Sequence, residues 1–217
     1  MSERLIRHRI FDELRQDILS CGLPPGEEIR EGELARRFGV SKSPIRDALQ
    51  KLEFEGLVEI SPRRGHRVAP ISVTDAAEIL EMREMLEAGA LRKLAAEGTP
   101  ETLARLDALR QADTSSLEAF SSYNRHFHVT LCELSGNRRL CETMERLMEN
   151  YDRLCVVSLS VRRTEREAME AALADHNAII DAVQARSGAT AVRLSARHTK
   201  RSRSQIMRAL DSRPIVG

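Results

Sequence analysis

Six histidines are present, and their spacing is where chemistry first suggests itself. The stretch "YNRHFHVTLCELSGN", residues 123–137, holds two of them two positions apart. In a helix that is about 200° of rotation, so His126 and His128 cannot share a face, whereas Asn124 and His128, one turn apart, can. Over 115–135, Phe120, Asn124, Phe127, Leu131 and Leu134 recur at spacings of four, three, four and three. That is the stripe of a core-facing helix, with Asn124 inside it, His128 beside it and His126 turned to solvent. Over 164–186, Met169, Leu173, His176, Ile180 and Val183 repeat the spacing, and over 189–210 Ala191, Leu194 and His198 do the same. One amide and three imidazoles therefore face the interior from three helices.

Buried polar groups need partners. One reading gives each histidine its own hydrogen bond as an ordinary core residue. The other has three neutral imidazoles converge on a divalent metal, with the Asn124 carbonyl as a weaker, uncharged ligand. The second accounts for all three at once, although the spacing is not a compact motif. Zinc suits imidazole best, and nickel, manganese or iron fit the same donors. Ligands from three helices leave coordination positions open. Arg83, in "EMREML", sits at the edge of another inward face. It is either a clamp for a ligand carboxylate or a buried partner of Glu87, four residues on. Cys132, one turn from His128, reads as a small buried hydrophobe.

The chain that must position these residues has 217 of them, 41% hydrophobic and 31% charged, with aromatics at 3% and no Trp. The core is therefore aliphatic, and the abundance of Leu, Ala, Arg and Glu favours helix. Net charge is +1, so any surface for nucleic acid must be local. "MSERLIRHRIF" has no apolar segment of a secretory signal, and no run approaches the roughly 18 apolar residues of a membrane span. The four cysteines have no CxxC spacing. They read as reduced thiols of a cytoplasmic protein.

The pattern changes near residue 71. Residues 1–71 contain a helical period over 4–20 (Leu5, Ile6, Ile10, Leu14, Ile18) and a break at "CGLPPGEEI". A short helix "EGELARRF", a "GVS" turn and a second helix "KSPIRDALQKLEFEG" follow. Two β runs, Leu57–Ile60 and His66–Ala69, then flank a Pro-Arg-Arg-Gly turn. This order is a winged helix-turn-helix. Residues 72–213 show only amphipathic helices, expected near 74–97, 100–111, 115–135, 138–160, 164–186 and 189–210. The second domain is then an antiparallel six-helix bundle.

A helix-turn-helix lays its second helix in the major groove, where the first residues reach base edges. Here that helix opens "SKSPIR": Ser41 or Ser43 caps it, Pro44 is tolerated in the first turn, and Lys42 and Arg46 project from one face. Arg63, Arg64, His66 and Arg67 load the wing with positive charge, and Gly65 permits close approach of backbone to DNA.

The segment "PPGEEIREGELARRFGVSKSPIRDALQKLEFEGLVEISPRRGHRV" resembles the winged-helix domain of the GntR family of bacterial transcription regulators. The resemblance implies DNA contacts from Ser41, Lys42, Ser43 and Arg46 on the recognition helix and from Gly65 and His66 on the wing. Lys42 stands where many members carry arginine and lacks the guanidinium fork. Gly32 stands where some relatives contribute an arginine. The second domain resembles the FCD-type effector domain of the FadR branch, through "EILEMREMLEAGALRKLA", "NRHFHVTLCELSGN" and "DHNAIIDAV". Six helices place it nearer the VanR-like subgroup. In metal-binding members the ligands are an aspartate and three histidines. Mapped here they are Asn124, His128, His176 and His198, with the amide in place of the carboxylate.

The expected function is a regulator, not an enzyme: a repressor that binds operator DNA as a homodimer and responds to a small organic acid held by the metal and Arg83. A metalloenzyme using the same histidines is the alternative, but no helix carries the E-x-x-H pattern of di-iron bundles, and it leaves the winged domain without a purpose. A metal that only staples the bundle is the third reading.

Overall fold

The computed structural model describes residues 3–61, 65–159 and 165–211. The chain divides into two compact units between Ser72 and Val73.

In the first unit, α1 (Glu3–Leu19) is followed by β1 (Glu28–Ile29), α2 (Glu31–Phe38), α3 (Lys42–Phe54), β2 (Val58–Ser61) and β3 (Gly65–Val68). Ile10, Leu14 and Ile18 fall on one stripe at four-residue spacing and are fully buried with Ile45, Leu49 and Leu52 of α3. Leu5, expected on that stripe, lies one position off it and is 61% exposed. α2 ends at Gly39, which sits at φ 65° and ψ 36°. Glycine enters this left-handed region without the steric penalty of a Cβ, so the chain reverses sharply into α3. Ser41 occupies the N-cap position of α3, but its side chain makes no capping hydrogen bond.

The sheet is antiparallel in the order β1-β3-β2. β1 was not expected. Its two residues are too short for an alternating pattern, but Ile29 is buried and pairs with His66. It adds a third strand to the wing.

The second unit is helical throughout its described residues. α4 (Val73–Glu97), α5 (Pro100–Ala104), α6 (Leu117–Leu134), α7 (Arg138–Leu159), α8 (Glu165–Gln184) and α9 (Gly188–Asp211) match the six expected segments. The second of these, expected as one helix over 100–111, changes at Arg105–Leu109 into a 3-10 helix. The sequence supplies a reason. Leu103, Leu106 and Leu109 are three apart and all buried, and a three-residue turn stacks such positions on one face. Thr99 caps α5 by accepting from the Thr102 amide, and Ser116 caps α6 by accepting from the Ala119 amide. Leu91, Leu94, Phe127, Leu131, Ile179 and Val183 form the centre of the core. α4 packs against α6, α7 and α9, and α8 packs against α9, which brings α4, α6, α8 and α9 around one interior.

Candidate functional site

His128 on α6, His176 on α8 and His198 on α9 meet in that interior. Their ligating nitrogens all lie within 4.8 Å of one another, and the three rings are almost wholly buried. His176 stacks on Phe127 with ring centroids 3.9 Å apart.

For His176 and His198 the partner of the outer nitrogen fixes the tautomer. Tyr123 Oη donates its one proton to the Leu109 carbonyl at 2.9 Å. It must therefore accept from His176 Nδ1, 3.1 Å away, and Nδ1 carries the hydrogen. His198 Nδ1 lies 3.4 Å from Asp175 Oδ2, an acceptor, so its Nδ1 is protonated too. Each ring then presents a bare lone pair at Nε2. Those two Nε2 atoms are 3.3 Å apart with no proton to place between them. His128 Nδ1 lies 2.7 Å from Glu87 Oε1, although out of line for a good hydrogen bond, and its Nε2 has no partner. Two bare lone pairs thus face each other beside the His128 ring, whose nitrogens make no hydrogen bond, which is the arrangement a cation resolves.

Burial keeps all three imidazoles neutral. It lowers His128 to about 4, and lowers His176 and His198 as well, with nearby positive charge from Arg83 adding to the effect. Neutral imidazole is the form that ligates.

Glu87 is the buried hub behind them. Burial alone would raise its carboxyl, but His128 and Arg83 hold it well below the usual carboxylate range. Its Oε1 accepts from Arg83 Nε at 2.7 Å and its Oε2 from Ser195 Oγ at 2.5 Å. Of the two sequence readings of Arg83, the buried pair with Glu87 is the one observed. Arg83 is paired with Glu87 through Nε, and its Nη1 and Nη2 are fully buried with no hydrogen-bond partner. Its guanidinium lies 4.6 Å over the Tyr151 ring.

Asn124 is buried on α6 with Nδ2 unpartnered, and with His198 it lines a cavity of about 40 Å³. His126 is exposed, as expected from its face. Cys132 is buried and burial pushes its thiol pKa up, and none of the four cysteines is in a disulfide.

Sequence reasoning missed Glu87, Tyr123 and Asp175 as partners of the histidines. Asp175 precedes His176 in the chain but serves His198, because adjacent residues lie about 100° apart on a helix and face different neighbours. Arg201 Nη1 donates to Asp175 at 2.7 Å and closes that arm.

On the first unit, Ser41, Lys42, Ser43 and Arg46 are all exposed along the first turn and a half of α3. Arg46 Nε donates to Glu31 Oε2 of α2 at 2.8 Å, which holds the guanidinium beside the helix start. Gly65 is exposed at φ 91°, and His66 is half-buried in β3. Arg67 pairs with Glu59 across the strands. Arg63 and Arg64 lie outside the described residues.

Residues 6–68 match the model of the bacterial regulatory proteins of the gntR family, and residues 78–201 match the FCD domain. An HTH-type transcriptional regulator of Streptomyces ambofaciens is 33% identical over 183 residues, covering 83% of this chain and 76% of that protein. The HTH-type transcriptional repressor RspR of Escherichia coli is 29% identical over 198 residues, covering 89% and 85%. Two solved structures share the fold. McbR/YncC of E. coli has a TM-score of 0.74 at 20% identity, covering 97% of this chain and all of that one. A GntR regulator from Rhodococcus has a TM-score of 0.77 at 22% identity, covering 98% and 100%. The chain belongs to the GntR family of bacterial transcription regulators, with an FCD domain following its winged helix-turn-helix, and it is a DNA-binding regulator rather than an enzyme.

Proposed function

We propose that this regulator is a repressor whose second domain, residues 72–213, senses a small organic acid through a bound divalent metal. The observation that carries the reading is the convergence of His128, His176 and His198, whose ligating nitrogens all lie within 4.8 Å of one another, with the Nδ1 atoms of His176 and His198 each against an acceptor. A structural core would pair those nitrogens with donors. Asn124, one turn before His128, would supply a carbonyl oxygen. The metal is zinc by the donor set, with nickel, manganese or iron able to substitute. Bound there, it would supply a Lewis acid for a carboxylate oxygen. The buried, unpartnered Nη atoms of Arg83 favour the same anion.

Residues 1–71 would hold the operator through Ser41, Lys42, Ser43 and Arg46 in the major groove and through Arg64, Gly65 and His66 at the wing. One recognition helix reads few base pairs, so the regulator acts as a homodimer on a two-fold site in cytoplasmic DNA. RspR, a repressor by name, supports the sign of regulation. Ligand and operator are linked because each must bind one arrangement of the dimer better than the other.

The test is the metal content of untagged protein purified without added metal, for wild type and His176→Ala. Near-stoichiometric metal in the wild type and its loss in the variant is the expected result. No metal in either after incubation with zinc or nickel returns the three histidines to the core.

A further inference from the structure

Several of the unpartnered polar atoms around the histidines are donors. Arg83 Nη1 and Nη2 and Asn124 Nδ2 are donors only, and the Ser121 hydroxyl is free to donate. All three side chains are more than nine-tenths buried. Ser121 and Asn124 line the cavity of about 40 Å³ together with His198 and Tyr151, and Arg83 covers the Tyr151 ring. That space holds about three waters. The two carboxylates that face the histidines are committed. Glu87 Oε1 faces both Arg83 and His128, its Oε2 holds Ser195, and Asp175 Oδ2 holds Arg201 and His198.

The charges are as one-sided as the hydrogen bonds. Arg83 and Glu87 cancel, Asp175 is offset by Arg201 and Arg197, the imidazoles are neutral and Asn124 brings no charge. A divalent cation on the histidines therefore adds two positive charges that no side chain described here neutralises. Uncompensated charge is costly in a buried site.

We infer that the ligand of this pocket is a compact dianion, a short dicarboxylate or a phosphate-type oxyanion, taken in preference to a monocarboxylate. The inference rests on the metal reading above and adds the charge of the ligand to it. Oxygens of the dianion fill the open metal positions, while the Asn124 amide and Ser121 hydroxyl donate to the remainder. Asn124 sets the preference, because a carboxylate at this position would cancel one of the two charges.

Zinc-loaded wild type is titrated calorimetrically at pH 8 with malonate, inorganic phosphate and acetate, and retained zinc is measured after each titration. The expected result is that malonate or phosphate binds at least about tenfold more tightly than acetate. Binding of malonate alone identifies a two-ended dicarboxylate, and binding of phosphate alone a single-centre oxyanion. Asn124→Asp tightens zinc and closes the gap to acetate, and Ser121→Ala weakens the dianion with zinc unchanged. Equal affinity for acetate in a zinc-loaded wild type overturns this inference alone. Failure of the wild type to hold either zinc or nickel overturns the metal reading and this inference with it.

Discussion

At the scale of single residues, the centre depends on groups outside the ligand set as much as on the ligands. Tyr123 and Asp175 each accept the Nδ1 hydrogen of a ring and so point Nε2 inward. Such outer partners raise ligand basicity and fix ring orientation, and losing one costs roughly 10- to 100-fold in metal affinity. Tyr123→Phe and Asp175→Asn are each expected to weaken zinc by that factor in competition with a chromophoric chelator, with the helical signal of the protein unchanged. Unaltered zinc affinity in both would show that the rings are oriented by packing alone, through contacts such as the Phe127 stack. The histidines were legible in the sequence because His176 and His198 occupy periodic core positions and His128 lies beside one. Their partners were not, since every one of those contacts joins residues on different elements.

At the scale of elements, local rules account for most boundaries. Caps at Thr99 and Ser116 start α5 and α6 where the sequence carries hydroxyl side chains. Gly39 ends α2 where the turn needs a left-handed residue. The 3-10 segment Arg105–Leu109 was read as ordinary helix because three-residue and four-residue spacings both fit so short a stretch. It matters to the site, since the Leu109 carbonyl at its end fixes the Tyr123 hydroxyl. Leu106 is fully buried there, and its truncation leaves a cavity among aliphatic neighbours. Leu106→Ala is expected to cost about 2–5 kcal/mol in urea unfolding. A loss below about 1 kcal/mol would mean that this segment can collapse around the gap.

At the scale of the whole molecule, the metal would couple stability to sensing. A ligand that binds only the folded state, at 100 times its dissociation constant, adds about 2.7 kcal/mol. In a protein of this size that corresponds to roughly 5–10 °C in melting temperature. Chelation of zinc from the wild type is expected to lower the melting temperature by that amount and to abolish the response of operator binding to organic acids. A fall in melting temperature with the response intact would make the metal a staple for α6, α8 and α9. No fall at all would remove the metal from the account of the bundle.

The sequence by itself determined the order of the helices and of the wing hairpin, the six helical segments of the second domain and the inward faces of Asn124, His128, His176 and His198. All of these follow from periodicity and from residues whose preferred backbone is narrow. Only the tertiary structure decided which nitrogen of the His176 and His198 rings is free, that Glu87 is shared by Arg83, His128 and Ser195, and that Ser121 and Asn124 open onto one cavity. Period and propensity are properties of a few consecutive residues. The approach of α4, α6, α8 and α9 to within hydrogen-bond distance depends on how whole faces pack, and a single chain read in order does not contain that.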